Sequence, residues 1–460
     1  MPRPFQTLPL LLALASLPAP AASPPEVLDP PAREDRLILT VPLLSVESYT
    51  ASRLPGWEQA VAINTSAVLF AHDAVWRATR NIDQPLLRGL AFGVGSVLSD
   101  FLVWLAIDPA WAHEEGHRSV LALYSLPGLN GAIDPPGSWP DSYRPVYGLA
   151  DAQLAFLKER HNPDMIRLQA AGYESELLGK LALERATFWA DRPGGQNILQ
   201  AAYTHLSVIS YFTLCLDQRL SDRLLQDEVD WVGTDVFHRD FTGPDCGGWV
   251  YDLHRPDEPY AARGPHPSGV GIRRDRLPSD MSSAELSYLR RQRNLLLLNL
   301  VDPHQFGFAS FRGTNPFTHR PFRWNAQLAH LPTSFGSSTE ARVLLAEAQW
   351  KLGLTLHGFL NGQAFFPGLT AELFRYPIRP FDHPLDVSAT VSLWLQPRAQ
   401  RFDTAEPSPG AMASLTLSQR VVDAVDLDLR LRGKTAGWVA LQPSLAPAVD
   451  VTLSASLLLP

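Results

Sequence analysis

The chain is poor in sulfur and in charge: 460 residues carry 2 cysteines, 4 methionines and 19% Asp, Glu, Lys and Arg. No basic stripe is present and the net charge is −8. Nothing is therefore available to neutralise a phosphate backbone, which excludes nucleic acid as a partner. No cysteine follows the N-terminal apolar run, so lipid attachment there is excluded. Cys215 and Cys246 are too few for a disulfide framework. In an oxidising compartment they could pair and close a loop of moderate length, or they could remain buried free thiols.

What is present begins with an export pattern. Arg3 precedes an apolar run from Leu8 to Leu17, and Ala19-Pro20-Ala21-Ala22 supplies small residues for cleavage. That is the layout of a signal peptide, too short for a stable membrane anchor. Residues 1–22 are thus expected to be removed. The rest, at 45% apolar composition overall, is long enough for two or three domains.

Between residues 23 and 300 the apolar residues recur mostly at helical spacing. The periodicity predicts helices over Trp57–Arg77, Pro85–Ile107, Asp151–Glu159, Met165–Trp189 and Asn197–Gln226. Residues 228–280 lose periodicity and are dense in Gly, Pro, Asp and His, the composition of a long functional loop. Six polar residues there, His238, Asp240, Asp245, Asp252, His254 and His266, are given no role. Ser282 and Glu285 then form a capping box for a helix reaching about Leu300. Within Gly89–Ile107 only Ser96, Ser99 and Asp100 break an apolar stretch, and a buried helix beneath the site described next is expected.

From residue 301 the period changes to two. Val387, Ala389, Val391, Leu393 and Leu395 alternate with Ser388, Thr390, Ser392, Trp394 and Gln396, and the pattern repeats from Val425 and Val449. About eight such segments, starting near Phe322, Thr339, Lys351, Phe365, Leu385, Ala411, Val425 and Val449, predict an antiparallel up-and-down meander. Alternation alone does not say which face is wet. Strand length, and aromatics near the strand ends (Trp324, Trp350, Phe359, Phe374, Tyr376, Phe381, Trp394 and Trp438), give residues 301–460 a resemblance to small outer-membrane β-barrels. The resemblance implies an eight-stranded barrel that anchors the protein in outer-membrane lipid. The expected fold class is α+β, a helical domain followed by this barrel.

The chemistry-bearing motif is His113-Glu114-Glu115-Gly116-His117. Asp108-Pro109 reads as its helix start, and His113 and His117 at i and i+4 project from one face. Two imidazoles one turn apart can hold one Zn²⁺, and Glu114 beside them can activate its water as general base. A catalytic zinc needs a third protein ligand. The motif resembles that of the gluzincin metallopeptidases, in which a Glu on a downstream helix completes the site. That resemblance points to Gly172–Leu178, where Glu174 lies on the apolar face with Leu177, Leu178 and Leu181, and Glu176 lies on a more polar face as a solvated residue. Glu174 is therefore the expected third ligand. No His occurs between Arg118 and Asn130, so the third-His pattern of the metzincins is missing. Tyr203 and His205 sit on a helix that could line the cleft. The resulting expectation is a Zn²⁺-dependent, peptidase-like hydrolase exported to the bacterial outer membrane, with its helical domain in the periplasm or at the surface. Its substrate would be a protein or peptide. The alternative is a non-catalytic structural or assembly protein of that membrane.

Overall fold

A computed structural model describes residues 37–47, 56–107, 110–131, 146–192, 197–347, 350–378 and 385–459. The signal-peptide reading, the Asp108-Pro109 helix start and Phe381 lie outside the described residues. The helices are α1 (Trp57–Thr79), α2 (Pro85–Ala106), α3 (Trp111–Ala122), α4 (Asp151–Arg160), α5 (Asn162–Trp189), α6 (Ile198–Leu214), α7 (Gln218–Val232), α8 (Asp245–His254) and α9 (Ser283–Leu295). The strands are β1 (Leu37–Glu47), the short pair β2 (Leu129–Asn130) and β3 (Val146–Tyr147), β4 (Phe311–Thr314), β5 (Pro321–Thr333), β6 (Gly336–Glu347), β7 (Trp350–Leu360), β8 (Phe365–Ile378), β9 (Leu385–Pro397), β10 (Pro407–Val422), β11 (Val425–Lys434) and β12 (Ala448–Leu459). The fold is α+β.

The expected meander is there, with each strand from β4 to β12 antiparallel to the next. It differs from the expectation in number and closure. The sheet has ten strands in the order β1-β12-β11-β10-β9-β8-β7-β6-β5-β4. No ladder joins β4 to β1 among the described residues, so the sheet is open and is not an eight-stranded barrel. The tenth strand comes from outside 301–460: β1 runs antiparallel to β12, with Leu37 opposite Leu459. β4 escaped the sequence reading because four residues are too few to show alternation.

The face question is settled by exposure. Along β5, Asn325, Gln327 and Ala329 are buried while Trp324 and Leu328 are exposed. Along β9, Ser392, Trp394 and Gln396 are buried while Val391, Leu393 and Leu395 are exposed. On β12 the buried positions are Ala448, Asp450, Thr452, Ser456 and Leu458, with Val449, Val451 and Leu457 outside. The sheet therefore turns its polar face to the helices and its apolar face outward, the reverse of an antiparallel sheet covering an oily core. Polar side chains bind the two layers together. Glu58 of α1 takes Arg430 and Arg432 of β11, at 2.9 Å from Nη2 of each to Oε2. Gln327 of β5 donates to Glu184 of α5 at 3.3 Å. The aromatics do not all form a rim: Phe359, Trp394 and Trp438 are buried in the core, whereas Trp324 and Tyr376 are exposed.

Helix α2 corrects a second expectation. It is not buried: Leu105 is 85% exposed and Leu86 78%. Its buried residues are Phe92, Ser96, Ser99 and Asp100, and Asp100 meets His72 of α1 at 2.7 Å. The polar residues that interrupt the apolar run are thus its inward face.

The axis of the helical layer is α5, whose buried residues include Arg167, Gln169, Glu174, Lys180 and Glu184 as well as leucines. The expected helix Asn197–Gln226 is two helices, α6 and α7. The break is at Asp217, whose Oδ1 accepts the N–H groups of Arg219 and Leu220 as an N-cap. The capping box of Ser282 and Glu285 opens α9 as expected, which ends at Leu295.

Candidate metal centre

Helix α3 carries the HExxH residues across α5 at a glycine-on-glycine approach. A Cβ on Gly116 would lie 2.7 Å from Ser175 Oγ and 2.9 Å from the Ala171 carbonyl. On Gly172 it would lie 2.1 Å from His113 Nε2. Both positions need glycine for contact, not for unusual backbone angles, and they bring the two imidazoles against the α5 backbone.

Each imidazole is oriented from behind. His117 Nδ1 donates to the Leu168 carbonyl at 2.6 Å, which leaves Nε2 as the free lone pair. His113 Nδ1 meets Glu176 Oε1 at 2.7 Å. Both Nε2 atoms then point at one oxygen, Asp245 Oδ2, at 3.2 Å from His113 and 3.3 Å from His117. Two ligands about 2 Å from one tetrahedral ion sit about 3.3 Å apart, so these spacings suit a common cation. The three ligand atoms lie within 4.8 Å of one another. Carboxylate-to-His and carbonyl-to-His contacts are the usual second layer of a zinc site.

The charges around this point also suit a cation. Burial pushes Glu114 up to about 7, against the pull of His113 and His117, and Asp245 and Glu176 add to the rise. Burial likewise raises Asp240 well above the usual range, helped by Asp245 and Glu114. Burial would raise Asp245 too, but His117 and His113 outweigh it and hold it low. The dominant partners of all three carboxyls are histidines and other acids, with no Lys or Arg among them. His113 is held well above its ordinary value by Asp245 and Glu176 in spite of burial. A divalent ion at the same point gains more from those carboxylates than one proton does.

The structure brings together His113, His117 and Glu114 but not Glu174. Both oxygens of Glu174 are committed elsewhere: Arg167 Nη2 donates to Oε1 at 2.9 Å, Leu441 N–H to Oε1 at 2.9 Å and Trp438 Nε1 to Oε2 at 3.0 Å. A fully buried carboxylate on an apolar face had to be paired or metal-bound, and Arg167, about two turns earlier on α5, pairs it. Glu176, read as solvated, instead orients His113. The acid that meets both imidazoles is Asp245 at the start of α8, inside the stretch expected to be a loop. Two signals pointed there. Gly247 and Gly248 allow α8 to pack tightly, since a Cβ on Gly248 would lie 2.3 Å from Thr242 Oγ1. Cys246 forms a disulfide with Cys215, and this ties α8 to the end of α6.

The other candidates scatter. Tyr203 packs at a tilt against Trp104 with ring centroids 4.9 Å apart, and His205 meets Gln305 at 2.9 Å. Two tyrosines not singled out in the sequence are nearer. The Asp245 N–H donates to the Tyr211 phenol oxygen at 3.4 Å, and the buried Tyr173 hydroxyl has no partner among the described residues, with its ring 6.3 Å from that of His113. Of the remaining loop residues, Asp252 pairs with Arg263 and Lys158, and His238 pairs with Asp235 at the surface. A second cluster, Glu184, Asp302 and His304, already holds a cation: Lys180 Nζ is 2.7 Å from Glu184 and 2.8 Å from Asp302.

Comparison with protein-family models, curated proteins and solved structures found no match.

Proposed function

We propose that this chain is a zinc-dependent, peptidase-like hydrolase of the bacterial envelope, with His113, His117 and Asp245 holding Zn²⁺ and Glu114 acting as general base. The observation that carries the reading is the convergence of two back-oriented imidazole Nε2 atoms on Asp245 Oδ2 beside a carboxyl of raised pKa. Zinc, when bound, acidifies a water and polarises the substrate carbonyl. Glu114 accepts a proton from the attacking water as its oxygen bonds to the carbonyl carbon, then passes that proton to the amide nitrogen as the C–N bond breaks. Products are a carboxylate and an amine. The unpaired, buried Tyr173 hydroxyl is a candidate donor for charge developing on the carbonyl oxygen.

The outward apolar faces of the ten-stranded sheet and of α2 support a place in lipid, and with the signal-peptide pattern they favour the outer membrane. The test is metal content together with hydrolysis of a quenched fluorescent peptide library. The wild type should retain one zinc per chain and cleave, whereas Asp245→Ala should lose both. A protein that holds no zinc, or whose zinc survives Asp245→Ala, overturns the assignment.

A further inference from the structure

A narrow open cleft between α1, α2, α5 and α6 reaches His113 and Glu176. Its walls mix buried apolar residues, Val61, Val68 and Leu183, with the polar Asn64, Thr65 and Ser175. On its more exposed side lies the tilted pair Trp104 of α2 and Tyr203 of α6, the two ring types that favour a boundary between apolar and wet surroundings. Beyond this pair the surface turns to hydrocarbon. Leu98, Phe101 and Leu105 on α2 and Leu206 on α6 are between 51% and 85% exposed. In α2 the window of highest hydropathy is only 28% buried, unlike a soluble core helix. The cleft thus leads from an apolar exterior, past an aromatic pair, to His113, the first residue of the HExxH motif.

We infer that the substrate enters from the lipid side and is an amphiphile, a peptide or amide bearing a long acyl chain. This rests on the hydrolase reading above and names its substrate class. The chain lies on the outward faces of α2 and α6 while the amide passes Trp104 and Tyr203 to Glu114 and the three ligands. The reaction is hydrolysis: water adds across the amide, the C–N bond breaks, and the acyl-bearing product returns to the lipid phase.

Two synthetic probes test this on the full chain in phospholipid nanodiscs: a palmitoylated tetrapeptide with a diazirine in its alkyl chain, and the same tetrapeptide without the acyl group. With the Glu114→Gln protein, the palmitoyl probe should cross-link to residues 98–105 and 203–206. Excess unlabelled palmitoyl-peptide should displace it and the plain peptide should not. Labelling confined to the outer face of the sheet, or labelling that is not displaced, overturns the route. With zinc-loaded wild type, the palmitoyl-peptide should be cleaved at least about tenfold faster, the effect of burying two methylenes. Equal rates on the two peptides overturn the substrate class and leave the hydrolase reading intact. Displaceable labelling of α2 and α6 with neither peptide cleaved overturns the hydrolase reading and leaves the acyl track.

Discussion

Glu114 lies beside the proposed ligands and is not proposed as one of them. Glu114→Gln keeps its shape and removes the proton acceptor, so zinc content should be unchanged while peptide hydrolysis falls by about two to four orders of magnitude. Asp245→Ala and Glu174→Ala then separate two roles. The first should cost metal and activity together. The second leaves the guanidinium of Arg167 buried beside Trp57, 4.4 Å from its ring centre, without its counter-charge. It should lower stability by about 3–5 kcal/mol yet leave zinc stoichiometry near one in the fraction that folds. Equilibrium unfolding combined with metal analysis reads both, and loss of zinc from folded Glu174→Ala would restore Glu174 as a ligand. At this scale the sequence carried His113, Glu114 and His117 because two histidines at i and i+4 share one helix face, with the glutamate next to the first of them. It did not distinguish Glu174 from Asp245. Both are buried acids, and only the position of Arg167 against one and of two imidazoles against the other tells them apart.

Among the elements, α8 is the one on which the site most depends, and two covalent or steric devices hold it. The Cys215–Cys246 bridge joins the end of α6 to the first turn of α8, 31 residues apart. Removing it should cost about 3–4 kcal/mol for a loop of that length. Because Asp245 is next to Cys246, the double variant Cys215→Ser/Cys246→Ser should also bind zinc more weakly than the wild type, measured by chelator competition. Unchanged zinc affinity would mean that α8 is held in place by packing alone. The crossing of α3 on α5 is the other device. Gly172→Ala puts a methyl where His113 Nε2 now lies, so it should displace that ring and lower metal affinity with the helices still formed. In the sequence, α8 was hidden because ten residues rich in Gly and Asp carry too little apolar periodicity. Its helix is stabilised by the contacts of Trp249, Val250 and Leu253 in the core.

For the whole molecule the distinguishing feature is its reversed sheet. Leu393 is 57% exposed, so Leu393→Arg in water should change stability by less than about 0.5 kcal/mol. If that face bears on hydrocarbon, the same change should cost about 2–4 kcal/mol near the middle of the bilayer. Unfolding in vesicles against unfolding in detergent-free buffer decides between them, and an undetectable cost in vesicles would remove the lipid-facing reading. The polar face makes a pH prediction. Burial would raise Glu58, but Arg430 and Arg432 outweigh it and lower it to about 2 from its ordinary 4.5. A depressed carboxyl contributes stability that is present above pH 4.5 and is lost as pH falls through 2. Glu58→Gln should therefore flatten the acid limb of the stability curve between those values, read by thermal melts across pH. An unaltered limb would show that Glu58 does not link α1 to β11 in solution.

The sequence by itself determined the period of the eight strands from β5 to β12, the α+β division and the HExxH face, because each follows from local spacing along one stretch of backbone. It left open which face of the sheet is outside, since alternation is symmetric under exchange of faces. Tertiary structure decided that, along with the pairing of β1 to β12, the open edge between β1 and β4, the exposure of α2 and the choice of Asp245 over Glu174. Each of these depends on partners separated by tens to hundreds of residues, and the energy that selects among them, the pairing of buried charge, exists only once those partners meet.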